Sequence, residues 1–171
     1  VFDTNDAALG GKAIRRQITI SFSLDKQGPK EDVLIYLPAG VRKPVPLFLA
    51  LNFGGNQSVN KDAHIRLGTV WDPKTHERRT ASEESRGQDI GFDVEKILAR
   101  GYGFATICYQ DIEPDFDSGW RYGIRPRFFQ PGQTEPQPED WGAIGAWAYG
   151  ASRVMDYLEQ AEDIDTERVA L

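Results

Sequence analysis

Residues 46–59 read PLFLALNFGGNQSV. The run from Leu47 to Phe53 is almost wholly apolar, the pattern of a strand covered on both faces, as in a parallel sheet between layers of helix. The paired glycines that follow allow a sharp turn at the strand's carboxyl end, where open α/β sheets place their ligands.

Working outward, GFATICY at 103–109 is a second continuous β-prone run. Between the two, GFDVEKILAR at 91–100 sets Val94, Ile97 and Leu98 on one helical face, and Gly101 is a natural residue to end that helix. From Trp141 to Glu159, Ile144, Trp147, Ala148, Ala151, Val154, Met155 and Leu158 recur at three- and four-residue spacing, which predicts a long helix. Gly142, Gly145 and Gly150 each weaken such a helix by roughly 1 kcal/mol relative to Ala. Their presence points to close backbone packing against the sheet.

Towards the N-terminus, AIRRQITISFSL at 13–24 alternates apolar and polar residues, and a second strand runs from Asp32 to Leu37 after a turn at Gln27–Lys30. The pair reads as an antiparallel hairpin at the edge of the sheet. At the other end Val169, Ala170 and Leu171 open a further apolar run, so a strand is expected to begin near Arg168. The whole is an α/β fold of the α/β-hydrolase-like three-layer sandwich kind, with a mostly parallel sheet and an antiparallel N-terminal edge hairpin. It is expected to be the N-terminal portion, residues 1–171, of one domain that is incomplete at the C-terminus. Two connections, after Phe53 to about Gln88 and from Gln110 to Asp140, are too long for simple turns and are candidate site walls.

A composition of 40% hydrophobic and 27% charged residues is that of a globular domain, and a net charge of −6 argues against a nucleic-acid partner, which needs clustered Lys and Arg. No apolar window suits a membrane span. The single cysteine, Cys108, excludes an internal disulfide framework and a multi-cysteine zinc site, and within a buried strand it reads as an inert core thiol.

In α/β-hydrolases a glycine-rich loop after the third strand helps to form the oxyanion hole, and the next strand but one leads into a G-x-S-x-G elbow carrying the nucleophile. The order of elements here matches that scheme, which puts the elbow within a few residues beyond Leu171. Asn52, Gly54, Gly55 and Asn56 are therefore the candidate oxyanion-side loop, with N–H groups of the two glycines facing the developing charge.

Gly150-Ala151-Ser152-Arg153-Val154 lacks the second glycine and falls inside a helical pattern, so Ser152 reads as a helix serine. His64 and His76 precede the expected elbow, whereas the hydrolase triad runs serine, acid, histidine, so both read as surface-loop residues. Asp111, Glu113, Asp115 and Asp117 alternate like a Ca²⁺ loop, but Pro114 and Phe116 interrupt them and no closing bidentate Glu follows. Trp120, Tyr122, Phe128, Phe129 and Trp141 lie near Arg121, Arg125 and Arg127; they form either a small satellite core or a pocket rim, with Trp120, Arg121 and Trp141 as the rim candidates. Residues 1–171 offer no catalytic, cofactor-binding or metal-binding position.

ALGGKAIRRQ (8–17), LIYLPAG (34–40), PLFLALNFGGNQSV (46–59), ILARGYGFAT (97–106), DIEPDF (111–116) and DWGAIGAWAYGASRVMDYLE (140–159), in this order, resemble the bacterial glucuronoyl esterases, a carbohydrate esterase family of the α/β-hydrolase superfamily. The resemblance implies a Ser-His-acid triad with a Gly-x-Ser-Arg-x-Gly elbow, an adjacent arginine assisting the oxyanion, no metal or cofactor, and export from the cell to a secreted or periplasmic location. It implies as substrate the 4-O-methyl-glucuronoyl esters that join plant cell-wall glucuronoxylan to lignin alcohols. None of the implied catalytic positions lies within residues 1–171, so what carries over is scaffold, and this chain alone is expected to be inactive. Two alternatives stand beside it: another carbohydrate or acetyl ester hydrolase, and a non-catalytic carbohydrate-binding or structural module that uses the aromatic loop.

Overall fold

The computed structural model describes residues 1–25 and 27–171. Its main sheet has six strands in the order β1 (Asp3–Ala7), β2 (Ala13–Ser21), β3 (Lys30–Pro38), β7 (Gly103–Cys108), β4 (Val45–Asn52) and β8 (Ile164–Ala170). The remaining strands, β5 (Thr69–Trp71) and β6 (Arg78–Thr80), form a separate antiparallel hairpin. The helices are a single turn α1 (Ala8–Gly11), α2 (Val94–Ala99), a single turn α3 (Tyr109–Ile112) and the long α4 (Ala143–Leu158).

The α/β class and the three layers are as the sequence indicates, while the sheet itself is mixed. β1, β2, β3 and β7 pair antiparallel, and only β7, β4 and β8 run parallel. The expected edge hairpin, β2 with β3, is not at the edge, because β1 pairs outside β2 through Asp3 and Gln17. Its sequence DTNDA is polar and mostly exposed, so it carries no hydrophobic signal. β8 starts at Ile164, four residues before Arg168, for a similar reason: the polar residues of IDTERVA lie on an outer strand of the sheet.

Alternation along β3 divides the core. Val33, Ile35 and Leu37 face α4 through Ala146, Ala151, Val154 and Leu158. Leu34 and Tyr36 face the other layer, with Val94 and Leu98 of α2 and Phe104 of β7. The Asp93 side chain caps α2 by accepting from the Lys96 N–H at 3.1 Å, and Gly101 follows it with φ 81°. Gly150 meets the expected close approach: a Cβ there would overlap Ile112 Cδ1 and stand 2.9 Å from Glu31 Oε2. Gly145 likewise leaves room for Trp141, whereas Gly142 has nothing within 4 Å and precedes the helix as its N-cap.

Candidate functional site

β4 and β7 end side by side with Asn52 opposite Cys108, and both backbones leave the sheet there. β4 runs into Phe53, Gly54, Gly55 and a 3₁₀ turn at Asn56–Val59; β7 runs into α3. Asn52 is fully buried, and its Nδ2 donates to Asn56 Oδ1 at 2.7 Å and Thr106 Oγ1 at 3.0 Å. Thr106 Oγ1 donates in turn to Ala50 O, and Asn56 Nδ2 donates to Asp32 O at 2.7 Å. This chain of bonds ties the strand end to β7 and β3. Asn52 Oδ1 has no hydrogen-bond partner; the bonds that are made fix one geometry, because breaking any of them leaves a further unpaired group in low dielectric.

The turn itself is held from inside. Gln57 Nε2 donates to Gly54 O at 2.6 Å, while the Ser58 N–H and Oγ donate to Gly55 O at 2.9 and 2.7 Å. Gly55 has φ 90°, and a Cβ there would stand 2.6 Å from Gln57 Oε1, so the position demands glycine. The sequence suggested that both glycines offer N–H groups. Gly55 lies against Cys108, and among the described residues neither the Gly54 nor the Gly55 N–H donates to a protein acceptor. Burial pushes the Cys108 thiol up to about 12, so it stays protonated and unreactive.

Two carboxyls, one buried and one half-buried, lie at the same end of the sheet. Glu31, on β3, is fully buried, and neither of its oxygens has a hydrogen-bond partner. Burial, reinforced by the charge of Asp111, pushes it up to about 9, so it is neutral at neutral pH. Burial also pushes Asp111 up to about 7, against the hydrogen bond it accepts from the Asp32 N–H at 3.3 Å.

The β5–β6 hairpin supplies a wall beside the glycine turn. The Trp71 N–H donates to Gln110 Oε1 at 2.9 Å, and its ring packs on Tyr122 and Phe116 with centroids 4.6 and 5.6 Å apart. Across from it Phe53 is 70% exposed. A groove of about 350 Å³ lies between Phe53 and Gly54 on one side and Val70, Trp71 and Arg79 on the other. The sequence marks this connection as a candidate wall but not the hairpin within it. The signal was the short TVW and RRT runs either side of the Asp72-Pro73 turn, too brief to register as strands.

The three rim candidates are not brought together. Trp120 packs on Phe129 at 5.7 Å with the Arg121 guanidinium over its ring at 5.1 Å, whereas Trp141 packs on Phe128 and Tyr149 at 5.0 and 6.0 Å. Arg125 is taken up by the buried Glu113, its Nη2 lying 2.7 Å from Oε1. The aromatics thus fall into separate contacts, with Tyr122 and Phe128 exposed. Ser152 donates to Tyr149 O at 2.7 Å within α4, His64 lies 3.2 Å from Asp62 on the surface, and His76 stacks on Phe116 at 4.0 Å. None of the three has the setting of a nucleophile or base. Among the described residues the acidic run 111–117 belongs to no group of three or more His, Cys, Asp or Glu able to hold a metal.

No family model matches the chain. A curated carbohydrate esterase from an unknown prokaryotic organism is 44% identical over 172 residues, covering 97% of this chain and 39% of its own length. The solved glucuronoyl esterase from Solibacter usitatus superposes with a TM-score of 0.96 at 52% identity, covering 100% of this chain and 44% of that one. A promiscuous CE15 esterase from the marine bacterial metagenome gives 0.78 at 44% identity, covering 98% and 44%. The chain thus spans less than half the length of each relative. Along its whole length, in sequence and in fold, the chain is similar to a part of these glucuronoyl and carbohydrate esterases.

Proposed function

We propose that residues 1–171 are the N-terminal scaffold of a serine-type carboxylic ester hydrolase, a glucuronoyl esterase cleaving 4-O-methyl-glucuronoyl esters between xylan and lignin alcohols. The observation that carries the reading is 52% identity to a solved glucuronoyl esterase along the entire chain. The braced Gly54 turn supports it, since a fixed N–H donor at the end of a central strand is what a tetrahedral acyl intermediate requires.

In this reading the nucleophile follows β8, and because β8 pairs directly with β4, an elbow there rises beside Gly54. A serine hydroxyl attacks the ester carbonyl, the Gly54 N–H stabilises the developing oxyanion, and the alcohol leaves with a proton from the base. Water then releases the uronic acid from the acyl-enzyme. Export to the cell surface or beyond belongs to the same proposal.

The relative named promiscuous favours keeping a broader carbohydrate-ester reading in view. The test is hydrolysis by the longer protein containing this chain, with benzyl and methyl D-glucuronate set against acetylated xylan. Preferential cleavage of the glucuronates is expected; acetate release alone supports the broader reading, and no hydrolysis of any ester overturns both.

A further inference from the structure

One buried side chain governs the end of β4 from beneath the glycine turn. Resting on the esterase reading, we propose that Gln57 is a positioning residue for the reaction. Its carboxamide fixes the Gly54–Gly55 peptide and ties it to the β5–β6 hairpin, so that turnover depends on a side chain that touches no substrate.

Gln57 lies in the 3₁₀ turn Asn56–Val59 and is fully buried, out of reach of any ester. Both protons of its Nε2 and its Oε1 are nevertheless engaged. Nε2 donates to Gly54 O at 2.6 Å and to Ser85 Oγ at 3.1 Å, while Oε1 accepts from the Gly68 N–H at 3.1 Å. The amide cannot be turned over. Gly54 O can only accept, the Gly68 N–H can only donate, and the Ser85 hydroxyl proton is already given to Ser82 O at 2.6 Å.

These partners come from three segments. Gly54 follows β4, Gly68 precedes β5, and Ser85 ends the 3₁₀ turn Glu83–Ser85 beyond β6. The Ala81 N–H donates to Gly68 O at 2.9 Å, which closes the base of the hairpin at the point Gln57 grips. The main-chain carbonyls of Gln57 and Ser58 accept from the Gly87 and Asp89 N–H groups at 3.1 and 2.9 Å, so the far end of the connection returns to the same turn. A trans peptide is planar, so holding the Gly54 carbonyl fixes the Gly55 N–H in the opposite direction. Two successive glycines have no Cβ to restrain that plane, and only a partner keeps it from flipping. Donors held in place need no reorganisation as charge develops, so the clamp contributes to rate rather than to substrate affinity.

The experiment uses the longer enzyme and reads kcat and KM on benzyl D-glucuronate from pH 5 to 8. Gln57→Met fills the space without hydrogen bonds. Gln57→Glu keeps the shape but offers a donor to Gly54 O only when protonated, and burial beside a carbonyl is expected to raise that carboxyl into this pH range. Both variants are expected to lose about tenfold in kcat at pH 8 with KM within about twofold of the parent. As pH falls, the ratio of Gln57→Glu to parent kcat is expected to recover several-fold while that of Gln57→Met stays flat. Ser85→Ala cuts the tie to the hairpin side and spares the Gly54 bond; it is the companion should the Gln57 variants fold poorly, with a loss of about threefold in kcat expected. An unchanged kcat in Gln57→Met, or in Ser85→Ala where the Gln57 variants do not fold, overturns the proposal. So does a loss confined to KM, or a Gln57→Glu ratio that does not change with pH. Each of these leaves the esterase reading intact, whereas a parent enzyme that hydrolyses no ester overturns that reading and this inference with it.

Discussion

Burial of the Glu31 carboxyl without a hydrogen-bond partner couples folding to pH. Its ordinary acid value of 4.5 rises to about 9 in the fold, so between those limits the unfolded chain binds fewer protons than the native one. Stability contributed by the neutral acid is complete below the lower limit and is lost as pH rises towards the upper, at up to about 1.4 kcal/mol per pH unit. Asp111, pushed up to about 7, adds a slope of the same sign over a lower window. Glu31→Gln keeps the shape and removes the titration. Denaturant midpoints measured from pH 5 to 9 are expected to decline less steeply in the variant, and parallel pH profiles contradict the assignment. The glycine turn makes a sharper claim about chemistry. Gly54→Pro deletes the N–H nearest the strand end, and kcat of the longer enzyme is expected to fall roughly 100-fold with KM little moved; an unchanged kcat places the oxyanion donors elsewhere. At this scale the sequence was partly legible. NFGGN announced a turn, but nothing in it told that Gly55 packs against Cys108, more than fifty positions away.

Elements were more legible than residues, and the exceptions share a cause. The strands β4 and β7 and the helix α4 stand out because nearly every position, or every third and fourth, is apolar, although Phe48 of β4 is exposed whereas β7 is buried throughout. β1, β8 and the β5–β6 hairpin are strands by pairing rather than by burial, and hydrophobic periodicity is silent about hydrogen bonds with a distant neighbour. The second long loop also departs from a simple reading. It is anchored by Glu113, which holds Arg125 while its backbone carbonyl accepts from Trp147 Nε1 at 2.8 Å. The Glu113 side chain is 1% exposed and that of Arg125 13%, so removing one partner strands a buried charge. Glu113→Ala is expected to cost about 3–5 kcal/mol by equilibrium unfolding of the longer protein. A loss below about 1 kcal/mol would show that the pair is solvated and does not anchor the loop.

For the whole molecule, the strand order joins the fold to the chemistry. β2-β3-β7-β4-β8 sets the glycine turn on the strand adjacent to β8, so an elbow after β8 and an oxyanion donor after β4 converge without further rearrangement. The sequence carried the succession of strands and helices along the chain, whereas their order in the sheet and the count of antiparallel pairings emerged only with the full register in place. It also explains why residues 1–171 hold a donor, a groove and a braced scaffold but no side chain placed as nucleophile: Ser152 is committed to α4, and Cys108 is sealed beneath the turn. Labelling the longer protein with a fluorophosphonate and mapping the adduct by mass spectrometry tests this division most directly. The account requires a single modified serine in the segment following β8, with esterase activity lost in proportion; an adduct on Ser152 or on any other serine of residues 1–171 contradicts it.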